Sequence, residues 1–374
     1  MKVLVYGAGP LGSVFAAQLQ QGGNDVSILA RGKRISEIRE FGIVLENVWS
    51  KQRSVTQVPV VEELAPDDVY DLILVIMRKN NALDILPVLA ANKYSPNVLF
   101  LMNNAAGPDA LVEALGAERV LIGFPNAAGY REGHEVHCIV GSADEPSAVP
   151  FGEVDGSISE RTRMVAGVLE SAPGLGAEIR TDMDAWLKTH VALLFPALAP
   201  ALFAAGIDNY RLARTRDLVV LTARGVREAL QVLRALGTPI TPAKYRVIEL
   251  IPEPLLVLAL QKLLQNEMME TALVRHAEAA RDEVTHLTGE FMELARQSGV
   301  PTPAIDRLQS YRQPEAVQPP EGSQDIPMRW GGVILLAGIV AAATATLAAG
   351  VAWLVKRANK WASDKGTREQ VDEE

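Results

Sequence analysis

Cysteine is almost absent from this chain, in which Cys138 is the single example among 374 residues. One thiol excludes an intramolecular disulfide and a cysteine-based metal cluster. We expect Cys138 to be a small, buried, apolar residue. The five histidines show no HExxH or similar ligand spacing, so we expect no metal site.

An excess of positive charge is also lacking. The chain has 36 Lys and Arg against 45 Asp and Glu, a formal net charge of -9. A protein that binds nucleic acid needs a basic stripe for the phosphates, and none precedes the C-terminal end. We therefore expect no nucleic-acid partner. The length allows two domains, each with a sizeable core.

The most informative segment is at the start of the chain. Val3 to Tyr6 is a short apolar run, and the sequence GAGPLG follows at residues 7–12. A helical pattern covers Ser13 to Gln21, and Asp25 to Ala30 is typical of a second strand. A strand, a glycine turn, a helix and a strand in this order predict a dinucleotide site.

Each glycine of the turn has a physical role in such a site. Gly7 allows the tight turn, Gly9 lets the backbone approach a pyrophosphate, and Gly12 lets helix and strand pack closely. Pro10 and Leu11 lie within the turn, and the helix that follows it has N-terminal N–H groups and a dipole that favour phosphate. The alternative interpretation is an ordinary glycine loop.

The end of the second strand indicates which dinucleotide binds. An NAD site usually has Asp or Glu there to hold the ribose hydroxyls. Here the strand ends in Ala30 and then Arg31, Gly32, Lys33 and Arg34. Cations suit a 2′-phosphate, so Arg31 and Arg34 predict NADPH as the cofactor. The alternative is a solvated loop.

Strand-like and helical runs alternate through the first 180 residues. This alternation predicts an α/β fold, a Rossmann-type doubly wound sheet with helices on both faces. Two later strands, Val136–Gly141 and Val149–Val154, are expected to join that sheet. The earlier strand-like runs are Ile43–Glu46, Val58–Val61, Leu72–Met77, Val98–Met102 and Val120–Phe124.

From Asp182 onward the pattern is long and helical. We therefore predict two domains, a dinucleotide-binding domain at 1–180 and a mostly α-helical domain for substrate or dimerisation at 181–312. The apolar run Val191–Ile207 contains two prolines and favours a buried helix over a membrane span. The expected helices are Asp184–Ala205, Leu212–Leu236, Pro254–Gln265 and Glu278–Ser298.

The last part of the chain has a different composition. Residues 313–329 are rich in Pro, Gln and Glu and predict a linker. Residues 330–355 carry no charge, and residues 356–374 form a charged tail. The uncharged run is long enough to cross a bilayer and has Trp330 and Trp353 near its ends. We predict one hydrophobic transmembrane helix at 330–355. The alternatives are a buried helix of a soluble protein, an interfacial segment and burial between subunits.

The orientation of this span is ambiguous. Four cations follow the run, at Lys356, Arg357, Lys360 and Lys365, which by the positive-inside rule places the tail in the cytoplasm. A domain that binds NADPH also belongs in the cytoplasm, although a single span would put it on the other side from the tail, and no signal peptide pattern precedes the first strand. We therefore expect a membrane-anchored protein with its catalytic domain in the cytoplasm.

Five segments together resemble the ketopantoate reductase (2-dehydropantoate 2-reductase) family, over roughly residues 1 to 310. The first two segments resemble the cofactor turn with its following strand and a strand-end Asn motif. The others resemble a late strand, the entry to the helical domain and the C-terminal helix of the family. In order they are GAGPLGSVFAAQL with ILARGKR, LFLMNNAAGPDAL, PFGEVDG, DAWLKTHVAL and ARDEVTHLTGEFMELARQSGVPTP.

The resemblance implies roles for individual residues. Lys188 matches the catalytic Lys, the general acid that donates a proton to the ketone oxygen. Glu283 matches the carboxylate that binds the substrate hydroxyl. Asn104 matches an Asn that touches nicotinamide ribose or substrate. Arg78, with Lys79 beside it as a substitute, takes the place of a Lys near the cofactor phosphates. Thr271 aligns with a Ser that binds the substrate carboxylate.

Some positions depart from the family pattern. Two Asn residues that bind substrate are replaced by Ala192 and Pro196, and the strand-end Asn-Gly becomes Asn104-Ala105. Loss of two amides makes the expected pocket more apolar, and a site built on hydrogen bonds discriminates strongly. The cofactor half of the expected site is therefore kept, and the substrate half is altered.

These observations give one leading hypothesis and two rivals. The leading hypothesis is an NADPH-dependent reductase of a 2-oxo acid or related ketone, with Lys188 as general acid and Glu283 binding substrate. The first rival is a non-catalytic, membrane-anchored NADPH-binding module. The second is a β-hydroxyacid-type dehydrogenase with a more apolar substrate. A homodimer is left open.

Overall fold

The strands of the N-terminal half lie in two sheets. The structure, a computed structural model, describes residues 1–313 and 315–334, without the side chains of Thr271, Ala272 and His276. The strands are β1 (Lys2–Tyr6), β2 (Asp25–Leu29), β3 (Ile43–Asn47), β4 (Arg53–Thr56), β5 (Val60–Val61), β6 (Leu72–Val75), β7 (Val98–Leu101), β8 (Val120–Gly123), β9 (Ala128–Glu132), β10 (Glu135–Ile139), β11 (Ser147–Glu153) and β12 (Leu175–Ile179).

The main sheet has eight strands in the order β12-β11-β8-β7-β6-β1-β2-β5. Its pairs are parallel except for β11 with β8. Apolar side chains of α1 and α6 cover one face, and those of α3, α4 and α5 cover the other. The predicted Rossmann-type α/β fold is confirmed. The helices are α1 (Pro10–Gln21), α2 (Lys33–Phe41), α3 (Lys79–Asp84), α4 (Leu86–Ala91), α5 (Asp109–Leu115) and α6 (Glu160–Glu170).

A second sheet, in the order β4-β3-β10-β9, packs on the outer side of α1. The prediction that Val136–Gly141 joins the main sheet is therefore wrong, because β10 pairs with β3 and β9 instead. Cys138 lies on β10 in the apolar core, and burial raises the pKa of its thiol to about 11. The expectation of a small, buried, apolar residue is confirmed.

The second half is helical, as predicted. Its central helix is α10, which packs against α7, α11, α14 and α15. A 3-10 helix covers Ala243–Glu249, and a π-helix covers Glu270–Val274. The α-helices are α7 (Met183–Leu194), α8 (Leu198–Ala204), α9 (Asn209–Arg214), α10 (Arg216–Ala235), α11 (Glu253–Leu264), α12 (Glu267–Met269), α13 (Arg275–Ala279), α14 (Arg281–Ser298) and α15 (Pro303–Ser310).

The predicted helix Asp184–Ala205 is interrupted. It forms α7 and α8, with a turn at residues 195–197 around Pro196, whose ring cannot continue the hydrogen-bond ladder. The stretch Met183–Ala204 is long and apolar enough to cross a membrane, but 72% of its most apolar window is buried inside the protein. This burial favours the predicted core position.

The described end of the chain lies against the helical domain. The backbone N–H of Asp325 and that of Ile326 donate to the Asp217 carboxylate at 3.0 and 2.8 Å. The N–H of Arg329 donates to Glu253 at 2.9 Å. Residues 331–334 begin a helix. The predicted transmembrane segment beyond residue 334 and the charged tail lie outside the described residues.

Candidate active site

The glycine turn between β1 and α1 is closely packed at two glycines and open at the third. Gly7 has a φ of +122°, and a Cβ there would lie 2.5 Å from the carbonyl oxygen of Ile76. A Cβ on Gly12 would lie 1.8 Å from the carbonyl oxygen of Gly7. A Cβ on Gly9 would meet no atom within 4 Å. The turn therefore leaves room for a diphosphate at Gly9, as a dinucleotide site requires.

The start of α1 has the properties of an anion site. Pro10 lies in the first positions of the helix, and no acidic residue stands in the first turn. Leu11 and Gly12 follow Pro10, where backbone N–H groups have no partner farther back in the helix. The glycine turn and the start of α1 fit a nicotinamide dinucleotide, together with exposed Arg31 and the buried Oδ1 of Asn103, which accepts no hydrogen bond from the described part of the chain.

Arg31 lies just beyond β2 and is exposed. Its Nη2 donates to the hydroxyl of Tyr6 at 3.1 Å. Tyr6 is the last residue of β1, so the guanidinium lies at the carboxyl end of the first two strands. In doubly wound sheets that edge binds the ligand.

Arg34 is instead buried, with 6% of its surface exposed. Its guanidinium donates to the hydroxyl of Ser13 and to the carbonyl oxygen of His134, both at 3.0 Å, and to Glu37 at 3.3 Å. Burial lowers the pKa of Arg34. These contacts join α1, α2 and the β9–β10 turn, so Arg34 supports the fold. Its role in cofactor binding stays a prediction.

Arg78 and its neighbours join the two domains. Arg78 Nη1 lies 2.7 Å from Asp282 Oδ1, and Asn80 Nδ2 donates to Asp282 Oδ2 at 2.9 Å. Burial opposes ionisation of Asp282, but the hydrogen bonds from Asn80 and Arg78 outweigh it and lower the pKa of the carboxyl. Arg78 therefore bridges to α14, and its predicted contact with cofactor phosphate stays a prediction.

Lys79 forms a second, buried bridge between the domains. It is 3% exposed, and its Nζ lies 2.6 Å from Asn104 Oδ1 and 2.5 Å from Glu290 Oε1 on α14. Burial lowers the pKa of Lys79, and the attraction of Glu290 opposes that shift. The other oxygen of Glu290 accepts hydrogen bonds from the N–H groups of Ala105 and Ala106 at 3.1 and 3.2 Å.

Residues 103–107, which we call the β7 loop, follow the carboxyl end of β7. Asn104 orders this loop: its Oδ1 accepts from the N–H of Gly107, and its Nδ2 donates to the Gly107 carbonyl, both at 2.9 Å. Asn104 is 2% exposed. It therefore acts as a loop-forming residue that also holds the ammonium of Lys79.

Lys188 lies against the β7 loop from the side of α7. Its Nζ is 2.6 Å from Asp184 Oδ2, one helical turn back. A Cβ on Gly107 would lie 3.6 Å from Lys188 Nζ and 3.5 Å from Asp184 Oδ1. The ammonium of Lys188 is thus next to the loop and is oriented by a carboxylate on its own helix.

Glu283 reaches the same loop from α14. It is 3% exposed, and Asn103 Nδ2 lies 3.3 Å from its Oε1. The Oδ1 of Asn103 is buried and accepts no hydrogen bond from the described part of the chain. A buried acceptor without a partner usually has a reason, and a ligand donor beside the β7 loop would satisfy it.

The wall beside the loop is apolar. Ala192 is fully buried and belongs to a cluster with Ala105, Phe195 and Leu287. Pro196 is also buried, at the turn between α7 and α8. The two positions that depart from the family pattern therefore offer no polar side chain here. The side chain of Thr271 lies outside the described residues.

The structure thus brings Lys188 and Glu283 to one loop, next to Asn104. Three residues at this site, Asn103, Asp184 and Glu290, were not predicted from the sequence, and Lys79 was predicted only as a substitute for Arg78. One signal was available, since Asp184 and Lys188 are four residues apart on one helix. In residues 1–313 and 315–334 no group of three or more His, Cys, Asp or Glu is placed to hold a metal ion.

Comparison with known proteins agrees with this architecture. Residues 3–154 match the family described as Ketopantoate reductase PanE/ApbA, and residues 182–312 match Ketopantoate reductase PanE/ApbA C terminal. A 2-dehydropantoate 2-reductase of Mesorhizobium japonicum is 25% identical over 82% of this chain and 95% of its own length. An uncharacterized oxidoreductase of Bacillus subtilis, YkpB, is 24% identical over 82% and 96%.

Solved structures share the fold. The ternary structure of D-mandelate dehydrogenase with NADH and anilino(oxo)acetate has a TM-score of 0.67 at 18% identity, over 83% of this chain and 96% of that one. Both domains, in the same order, are covered by the two family matches. The chain therefore belongs to the ketopantoate reductase family.

Proposed function

We propose that this protein is an NADPH-dependent reductase of a 2-oxo acid or related ketone. The observation that carries the proposal is the convergence on the β7 loop. Lys188 of α7 and Glu283 of α14 meet this loop from two helices. Lys79 also contacts the loop, through Asn104, and it follows β6, the strand that pairs with β1 before the glycine turn. An acid and a substrate-binding carboxylate beside a dinucleotide site are the parts that carbonyl reduction needs.

The proposed cofactor site consists of Gly7, Gly9 and Gly12 with the start of α1 at Pro10 and Leu11. Exposed Arg31 would hold the 2′-phosphate, which favours NADPH over NADH. When bound, the cofactor supplies the hydride that reaches the carbonyl carbon. D-mandelate dehydrogenase, a structural neighbour, has been solved with NADH.

In the proposed reaction Lys188 donates a proton to the carbonyl oxygen. Its positive charge also stabilises the negative charge that develops on that oxygen. Asp184, 2.6 Å away, keeps the ammonium oriented. Glu283 would accept a hydrogen bond from a substrate hydroxyl, and Asn103 Oδ1 offers a second acceptor. The substrate contact of Thr271 remains part of the proposal.

Turnover tests this proposal directly. The full chain in detergent should oxidise NADPH with at least one member of a panel of 2-oxo acids and ketones. Lys188→Ala should lower kcat by a factor of about 100 or more, the range for general acids, and should leave NADPH binding unchanged. The matched control is Lys262→Ala, an exposed lysine on α11.

Retained activity in Lys188→Ala would contradict the assigned mechanism. Tight NADPH binding without turnover on any carbonyl would favour the non-catalytic NADPH-binding module instead.

A second candidate, a dehydrogenase with a more apolar substrate, is favoured by the pairing of the charged side chains beside the β7 loop. Lys188 is paired with Asp184 at 2.6 Å, and Lys79 is paired with Glu290 at 2.5 Å. Because both cations already have carboxylate partners, they would attract a substrate carboxylate only weakly. A neutral ketone does not need a cation for binding. The apolar wall at Ala192 fits the same substrate class.

The two substrate classes can be separated by one variant. Asp184→Asn removes the negative charge beside Lys188 and should raise kcat/KM for a 2-oxo acid relative to a neutral ketone. Glu249→Gln, a carboxylate paired with Arg234 far from the β7 loop in sequence, is the control. An unchanged ratio would argue against charge balance as the source of specificity.

We also propose that residues 330–355 anchor the protein in a membrane and that the catalytic domain is cytoplasmic. The length and lack of charge of this run support the span, and the need for NADPH supports the location. A homodimer is compatible with this arrangement.

A further inference from the structure

The exposed apolar surface of the helical domain is concentrated in residues 247–263. We call it the leucine face and define it by five side chains: Val247, Leu250, Leu255, Leu258 and Leu263. Their exposed fractions range from 45% for Leu255 to 80% for Leu250. Soluble monomers rarely expose a contiguous apolar patch without an interaction partner.

Helix α11 is apolar on two sides. Leu256, Val257 and Leu264 are buried against the domain. Leu255, Leu258 and Leu263, at spacings of three and eight residues, lie on the exposed side. A surface helix normally carries mostly polar residues on that side, whereas here three leucines share it with one lysine, Lys262.

The uncharged run at the end of the chain leaves the domain beside this face. The strap at residues 325–329 is fixed to Asp217 and Glu253 by backbone hydrogen bonds. A Cβ on Gly332 would lie 3.4 Å from Pro252 Cβ, which is between Leu250 and Leu255 in the chain. Trp330 and Ile334 are 54% and 70% exposed at this point. The point where the chain leaves the domain is therefore fixed, and Trp330 and Ile334 extend the exposed apolar surface of the leucine face.

We infer that the leucine face lies on the bilayer surface. The catalytic domain would then contact the membrane directly and would not be attached only through a flexible linker. This inference depends on the proposed anchor at 330–355. The run has 26 uncharged residues, about the length that spans a bilayer. Helix α11 has 12 residues and is about 18 Å long, so the run is much longer than a cover for α11 needs.

The charges around the leucine face suit anionic headgroups. Lys262 lies on the exposed side of α11, and Lys244 and Arg246 are exposed just before Val247. Two of the nearby carboxylates have cationic partners, since Glu249 pairs with Arg234 and Glu253 pairs with Arg224. Cations beside an apolar helix face are typical of a segment that lies in the membrane interface.

The test measures how close the leucine face is to lipid. Full-length Leu258→Cys carries an environment-sensitive fluorophore in vesicles of phosphatidylcholine and phosphatidylglycerol with nitroxide-labelled lipid. The native Cys138 is buried with a raised pKa and should react little. Val55→Cys, on β4 and similarly exposed, is the matched control. We expect several-fold stronger quenching at position 258 than at position 55.

A charge on the face provides the second arm. Leu250→Asp should reduce the quenching at position 258, whereas Val69→Asp, an exposed site in the other domain, should not. The proposal is overturned if the chain floats with the vesicles but both labels are equally unquenched. It is also overturned if the 258 label is shielded without quenching, which indicates a second copy or the chain's own tail. A chain that fails to float refutes the anchor, and NADPH turnover reports separately on the reductase.

Discussion

Arg31 has the position and exposure that recognition of a 2′-phosphate requires. Its guanidinium contacts the hydroxyl of Tyr6, at the end of β1, and the rest of the side chain faces solvent. Arginine forms planar, bidentate hydrogen bonds with phosphate oxygens. A phosphate bound here would therefore gain charge-assisted contacts that the free ribose of NADH cannot make.

We expect Arg31→Ala to weaken NADPH binding by a factor of about ten or more, because a hydrogen bond to a charged group is worth about 1.5–3 kcal/mol. Binding of NADH should change little. Fluorescence titration with both cofactors measures the ratio, and Arg39→Ala, an exposed arginine on α2 paired with Glu62, is the control. Equal losses for both cofactors would show that Arg31 does not read the 2′-phosphate.

Arg31 and Arg34 also show the limit of a motif at the level of single residues. Both belong to one cationic cluster in the sequence, and the motif predicts the same role in cofactor binding for each. In the structure Arg34 lies in the first turn of α2, and its guanidinium contacts Ser13 and Glu37. The helix places this side chain on its buried side, whereas Arg31 precedes the helix and stays exposed. Which cation remains exposed depends on the start of α2, and composition does not determine that.

At the level of elements, α3 and α14 are held together by charged side chains across the domain boundary. Lys79 and Arg78 of the N-terminal domain meet Glu290 and Asp282 of α14. The Lys79–Glu290 pair is largely buried, with exposed side-chain fractions of 4% and 12%. In such a pair, removal of one partner leaves the other charge buried and uncompensated.

We expect Glu290→Ala to destabilise the protein by about 3–5 kcal/mol, the usual loss for a broken buried pair. The double variant Lys79→Met with Glu290→Leu should recover much of this loss, because no buried charge remains. Calorimetric melting of the full chain measures both. Glu293→Ala, an exposed carboxylate on the same helix, should stay within about 0.5 kcal/mol of the parent. Additive losses in the double variant would contradict a specific pair.

Local patterns predicted the elements that depend on local sequence. The order β1, glycine turn, α1, β2 followed from spacing alone, and so did the helical character after Asp182. The small sheet did not, because β3 and β10 pair across a long stretch of chain and their periodicity is the same as that of main-sheet strands. The contact between Arg78 and Asp282 is a similar case, since these two residues are 204 positions apart in the chain.

At the level of the whole molecule, the candidate site exists only because the two domains meet. The N-terminal domain supplies the glycine turn and the β7 loop, and the helical domain supplies Lys188 and Glu283. Resemblance to a family allowed the last two residues to be placed on the sequence. The supporting carboxylates Asp184 and Glu290 required the three-dimensional contacts.

At the level of the whole molecule, two physical arguments about the orientation of the proposed membrane anchor oppose each other. Four cations after residue 355 favour a cytoplasmic tail by the positive-inside rule. The proposed use of NADPH favours a cytoplasmic catalytic domain. A single span cannot satisfy both, because it places the domain and the tail on opposite sides.

We expect the catalytic domain to stay in the cytoplasm, because an anchor at residues 330–355 is synthesised after the domain and can insert without moving the domain across the membrane. In sealed vesicles with the cytoplasmic face outward, an added protease should digest the domain and leave an epitope after Glu374 protected. Detergent should expose that epitope, which controls for its intrinsic cleavage. Digestion of both from the outside would exclude a single span and favour an interfacial segment, with the leucine face and residues 330–355 lying together on one bilayer surface.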